Sequence, residues 1–145
     1  MRVWRLTKPE HAPGLDGEGA RLWGGRWNSP GLPMVYAASS LALAALEVLV
    51  HLPPQMRRTG GFPPYMAVCL DVPDDRVVPI GPASLATPRS IGDDWARART
   101  SLALLIPSLI IPQETNLLIN PAHPDITLVL VGQIDPFHFA DRLGS

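Results

Sequence analysis

The chain has 145 residues, 46% of them hydrophobic and 17% charged, with a formal net charge of −1. That length and balance fit one domain, residues 1–145, with its own core, and they exclude a disordered chain. Lysines and arginines form no block, so the basic stripe that a phosphate backbone demands is missing and direct nucleic-acid binding is not expected.

The opening "MRVWRLTKPE" has no signal-peptide apolar run. Its residues 2–6 alternate polar and apolar and predict a first strand. A Gly/Pro-rich loop follows over 9–19. "ARLWGGRWN" reads as extended structure loosened by Gly24 and Gly25, "SPGLP" is turn chemistry, and "MVYA" is a short strand. Together they suggest a hairpin, with Arg26 and Asn28 on one face and Met34 and Tyr36 on the other.

Ser39 or Ser40 is a natural N-cap for a helix running to about His51. Its apolar residues leave almost no polar face, so the helix is expected to be buried nearly all round. Residues 53–64 read as an irregular crossing loop. "YMAVCLDV" and "RVVPI" are strands separated by "PDD". The single Cys69 allows neither a disulfide framework nor a Cys-based metal site, and it reads as a small buried hydrophobe.

A short helix is expected around 93–99 with Trp95 as its apolar anchor. "LALLIPSLIIP" is strand-like, but Pro107 argues against an ordinary central strand and marks a bend that aims Ser108. "NLLINPAHPDI" reads as a loop and "TLVLVGQIDPFHF" as a long closing strand. Apolar stretches near 41–46 and 101–111 are too short to span a bilayer. The expected protein is cytoplasmic, makes no membrane contact, and is an α/β (α+β) domain with a mixed sheet and few helices.

Glu47 carries the most information. A carboxylate in so apolar a helix costs several kcal/mol, of order 2 or more, if nothing partners it. Either it forms a structural ion pair with an arginine, or it is a pocket carboxylate offset by a ligand. His51 lies one turn on and shares its face, or it caps helix carbonyls. Arg26, flanked by glycines, suits a phosphate or diphosphate through its planar fork, or a salt bridge to Glu47. Tyr36 is a core aromatic or a ring face for a planar base. Ser108 lacks the Gly-x-Ser-x-Gly context of a hydrolase nucleophile. His51, His123 and His138 lack metal-ligand spacing, so no metal is expected.

The ordered set "GGRWNSPGLPMVYAASSLALAALEVLVHL", "IPSLIIPQETNLLINPAHPD" and "FHFADRL" resembles the RES domain family, named for its Arg, Glu and Ser. The resemblance covers nearly the whole chain. It places the family Arg on Arg26, the Tyr on Tyr36, the Glu on Glu47 and the Ser on Ser108. Asn116, Asn120 and His123 match the loop motif that follows.

The resemblance implies a fold like the diphtheria-toxin type of ADP-ribosyltransferase and activity on NAD as substrate. It also implies the toxin role in a bacterial type II toxin–antitoxin module, with an Xre-type helix-turn-helix antitoxin as partner. Glu47 would then stabilise charge at the ribose, Arg26 would hold the diphosphate, and Tyr36 would line the nicotinamide ribose. His51, Ser108, Asn116 and Asn120 would bind NAD or shape the pocket. Three functions stay open: hydrolysis or phosphorolysis of free NAD, mono-ADP-ribosylation of a protein, and a non-catalytic protein-binding module in which Arg26 and Glu47 are a structural pair.

Overall fold

The computed structural model describes residues 1–144. Seven strands form one sheet: β1 (Arg2–Thr7), β2 (Val35–Ala38), β3 (Tyr65–Asp71), β4 (Val77–Pro79), β5 (Ala103–Pro107), β6 (Thr115–Ile119) and β7 (Leu130–Phe137). Their order is β4-β5-β6-β2-β1-β3-β7. The β4–β5 pair is parallel and the others are antiparallel, so the sheet is mixed, as expected. Among the described residues four α-helices accompany it: α1 (Glu18–Trp23), α2 (Leu41–His51), α3 (Pro54–Thr59) and α4 (Pro88–Ala98). None of the described helices is long and apolar enough to cross a membrane.

Side-chain alternation along the strands sorts the core into two faces. Val3, Val35, Val68, Leu70, Leu117 and Ile119 fill one. Leu104, Ile106 and Leu118 face the other, where Trp27, Met34 and Trp95 of the surrounding segments cover them. Helix α2 packs through Leu43 and Ala44 on Ala38 and Trp4. Its opposite side rests on a cluster of Phe62, Tyr65 and Phe139, with Phe139 edge-on to Phe137 at 5.1 Å.

Several expectations are corrected. "ARLWGGRWN" does not pair as a strand: Glu18–Trp23 is helical, with Asp16 Oδ1 accepting from the Glu18 amide and Glu18 paired to Arg21 one turn on. No hairpin forms with β2, which pairs instead with β1 and β6. The segment 53–64 contains α3, opened by a proline at its first helical position, where a missing N–H costs nothing.

Strand β5 is an inner strand, and Pro107 ends it rather than interrupting it. Residues 116–119 belong to β6, because Leu117, Leu118 and Ile119 fill the core between β5 and β2; only Asn120 begins the loop. Helix α2 buries only Leu43 and Ala44. Of its other apolar residues, Ala45, Val48 and Leu49 are only partly buried against the aromatic cluster, Val48 and Val50 line a cavity, and Leu46 is exposed.

Candidate active site

The cavity opens where the sheet splits. Strands β1 and β2 pair only at Trp4↔Ala38. Past that pair they part, and the residues next in line, Arg5 and Leu6 on β1 and Ala37 and Tyr36 on β2, all line a cavity of about 730 Å³. Helix α2 supplies Glu47, Val48 and His51; the end of β5 supplies Ile106 and Pro107; β6 supplies Asn116. The turn at 24–27 closes the remaining side with Arg26.

Glu47 is held without a cation. Ser108 Oγ donates to Glu47 Oε1 at 3.0 Å, and Asn116 Nδ2 donates to the same oxygen at 2.7 Å. Ser108 is 1% exposed, and its hydroxyl accepts from the amides of Ile110 and Ile111, both at 3.1 Å. With its lone pairs used there, its proton points at Glu47. No described group bonds Oε2, and Glu47 forms no ion pair among the described residues. The structural pair with Arg26 is therefore not formed. Neutral donors hold one carboxylate oxygen and leave the other available to a ligand.

The Arg26 turn is built from its backbone. Gly25 N donates to the Asn28 carbonyl at 2.9 Å, leaving Arg26 and Trp27 at the tip. Asn28 is fully buried and donates to the carbonyls of Ala20 and Leu32. Its Oδ1 accepts from the Tyr36 hydroxyl at 2.6 Å, and that hydroxyl accepts from the Trp27 amide at 3.1 Å. A Cβ on Gly25 would lie 2.5 Å from the Tyr36 oxygen, so only glycine allows this approach. Burial pushes the Tyr36 phenol up to about 12, so it remains a donor at neutral pH. Tyr36 thus presents its ring to the cavity while its hydroxyl fastens the Arg26 turn. The expected opposition of faces fails because no strand carries Arg26; the turn brings Arg26 and Tyr36 to one cavity.

Among the other expected residues, His51 lines the cavity, and its Nδ1 donates to the Glu47 carbonyl at 2.7 Å, which leaves Nε2 free. Asn120 does not line it. Its amide donates to the Ala96 carbonyl at 3.0 Å and its oxygen accepts from the Ala122 amide, so it ties α4 to the end of β6. His123 lies outside as well and caps a short 3₁₀ turn by accepting from the Asp125 amide. Among the described residues no trio of His, Cys, Asp or Glu is placed to hold a metal ion.

Arg5 is the residue that sequence pattern missed. Its Nε is buried without a partner, and burial pulls its guanidinium down to about 10. Buried polar atoms are nearly always satisfied in folded proteins, so this orphan makes Arg5 a candidate ligand residue; its guanidinium lies against Gly14, beside a second cavity of about 170 Å³ that Arg5 also lines. A signal was available in "VWRL", where an arginine interrupts an apolar strand. Asn116 Oδ1 is the other buried polar side-chain atom without a partner. Both orphans belong to residues that line the same cavity.

The RES domain family matches residues 2–140 of the chain. The "Prs ADP-ribosylating toxin" of Sphingobium sp. (strain YBL2) is 43% identical over 143 residues, 84% of this chain and 83% of that protein. A "Toxin Res" of Yersinia enterocolitica is 34% identical, covering 97% of this chain and 96% of its own length. Among solved structures, a chain of the M. tuberculosis MbcT–MbcA toxin–antitoxin complex superposes with a TM-score of 0.71 over 99% of this chain and 86% of that one, at 20% identity, a likeness of fold. On these matches the chain belongs to the RES domain family.

Proposed function

We propose that this protein is the toxin of a toxin–antitoxin pair and cleaves the nicotinamide–ribose bond of NAD. The observation that carries the reading is the Glu47 carboxylate, held at Oε1 by Ser108 and Asn116, with Oε2 free beside a cavity that also holds two arginines. Breaking the bond moves its electron pair onto the departing nicotinamide nitrogen, which leaves neutral. The ribose becomes oxocarbenium-like, as in glycoside hydrolysis. A fixed carboxylate beside it stabilises that developing charge and needs no reorganisation in the transition state. Because the leaving group carries its own positive charge, no general acid is required. Arg26 and Arg5 match the diphosphate, which places the scissile bond over Glu47. The Tyr36 ring lines the ribose side.

The acceptor of the ADP-ribosyl group is water, phosphate or a protein side chain. Transfer to a protein is the second reading, favoured by the Sphingobium relative named an ADP-ribosylating toxin. Incubation with NAD, with and without phosphate and with a cell extract, separates them. Free ADP-ribose marks hydrolysis, ADP-ribose 1″-phosphate marks phosphorolysis, and labelled protein marks transfer. No loss of NAD under any condition overturns the proposal.

The proposed partner is an antitoxin, which the toxin–antitoxin complex that shares the fold supports, and the Xre-type helix-turn-helix class is what the family resemblance implies for it. Two exposed apolar side chains, Val50 and Leu109, line the cavity, and Trp23, 85% exposed, directly precedes the lining residue Gly24. An antitoxin segment that covers the mouth would close the site in trans. The complex is then inactive on NAD; a complex as active as the free toxin contradicts this.

A further inference from the structure

Helix α4 contributes no residue to the cavity lining, yet it grips the turn that carries Arg26. Arg89 Nη2 donates to the Gly25 carbonyl at 3.1 Å. Gly92 lies against Trp27 so closely that a Cβ there would overlap the Trp27 carbonyl oxygen. Asp93, 7% exposed, accepts from the Ser29 amide at 2.7 Å and from the Ser29 hydroxyl at 2.5 Å. These ties fall on residues 25, 27 and 29. They skip Arg26, whose side chain has no described partner and is left to aim at the cavity.

The helix is itself fixed to the sheet. Trp95 Nε1 donates to Ser101 Oγ at 2.9 Å, and Asn120 holds the Ala96 carbonyl. Trp95 and Ala96 pack with Leu104, Ile106 and Leu118. A rigid path therefore runs from β5 and β6, through α4, to the backbone on both sides of Arg26. Ser108 follows β5 and Asn116 lies on β6, so the strands that hold Glu47 also anchor the helix that holds the Arg26 turn.

We propose that Asp93 and Gly92 are positioning residues for Arg26, setting where a bound diphosphate lies relative to Glu47. The proposal rests on the reading of Arg26 as a diphosphate ligand. Asp93 receives two donors from one serine. Asparagine in its place keeps the shape but accepts only one of them, meets the Ser29 hydroxyl only as a neutral donor, and so loses the charge that strengthens both bonds. The turn then loosens, and Arg26 must be ordered when NAD binds.

The test is steady-state NAD consumption by the full chain carrying Asp93→Asn, Ser29→Ala or Arg26→Ala, and by the Asp93→Asn/Arg26→Ala pair, with a melting temperature for each. Asp93→Asn should raise KM about fivefold, the scale of one hydrogen bond, with kcat held within about twofold. Ser29→Ala, which removes only the hydroxyl tie, should raise it about two- to threefold. In the Arg26→Ala background, Asp93→Asn should leave KM unchanged while lowering the melting temperature as much as it does alone. Two outcomes overturn the proposal: an unchanged KM in Asp93→Asn although Arg26→Ala raises it, or a KM rise of equal size with and without Arg26. An unchanged KM in Arg26→Ala itself overturns the diphosphate reading and the proposal together. Should Asp93→Asn fail to fold, Ser29→Ala decides alone, and a wild-type KM there overturns the proposal.

Discussion

The acid wall and the cation wall of the cavity are fixed by different means. On the acid wall the charged group itself is gripped: Ser108 and Asn116 both donate to Glu47 Oε1. On the cation wall the charged group is untethered and the backbone beneath it is gripped, by Asn28, Tyr36 and α4. A carboxylate that must meet charge only in the transition state gains from being immobile. A guanidinium that must close on a flexible diphosphate gains from a firm base and a free head. Changes to the acid wall should therefore lower kcat, and changes to the cation wall should raise KM.

The largest effect expected is that of Glu47→Gln. The amide oxygen keeps both donors but the charge is gone, so kcat should fall by roughly 10²–10³ while the protein stays folded and binds NAD. Nicotinamide release at close to the wild-type rate would break the contrast at its root. Ser108→Ala comes next. It removes one of the two donors to Oε1 and strips the Ile110 and Ile111 amides of their acceptor, so kcat should drop about tenfold with KM held. A KM effect alone would show that Ser108 touches substrate rather than the acid. Arg26→Lys keeps the charge and loses the fork, so KM should rise about tenfold with little change in kcat. An unchanged KM would remove the diphosphate from this wall.

How far these walls were legible in the sequence differs for the same physical reason. Glu47 announces itself as the one carboxylate in an apolar helix, and the Ser40 cap and the end at His51 came with it. The Gly-flanked Arg26 and the bend that aims Ser108 were likewise readable locally. Arg5 offered only the weak local signal of an arginine in "VWRL", because its place at the cavity depends on β1 and β2 parting after a single pair, which no local pattern encodes. Asn116 was carried by the family motif but misplaced in a loop; its asparagine–proline surroundings outweighed the short apolar run that packs as β6. Asn120 carried the same motif signal, yet its side chain turns to Ala96 and away from the cavity. The grip of α4 on the Arg26 turn joins residues 64 apart and left no trace in spacing.

The smallest effect expected concerns pH. Burial raises the folded Tyr36 phenol from its ordinary 10 to about 12. Its contribution to stability is then complete below about 10 and is lost as pH climbs through 12, because the unfolded chain gives up this proton first. Denaturant midpoints of wild type and Tyr36→Phe should differ by a constant at neutral pH and converge across that alkaline window. A constant difference throughout would mean that the hydroxyl does not hold the turn as a neutral donor.

The central claim is geometric: one NAD molecule spans both walls. A crystal structure of the Glu47→Gln variant with NAD bound tests it most directly. The diphosphate is expected against Arg26 and Arg5, and a hydroxyl of the nicotinamide ribose within hydrogen-bond reach of the side chain at position 47. A diphosphate remote from both arginines, or a nicotinamide ribose out of reach of position 47, would contradict it.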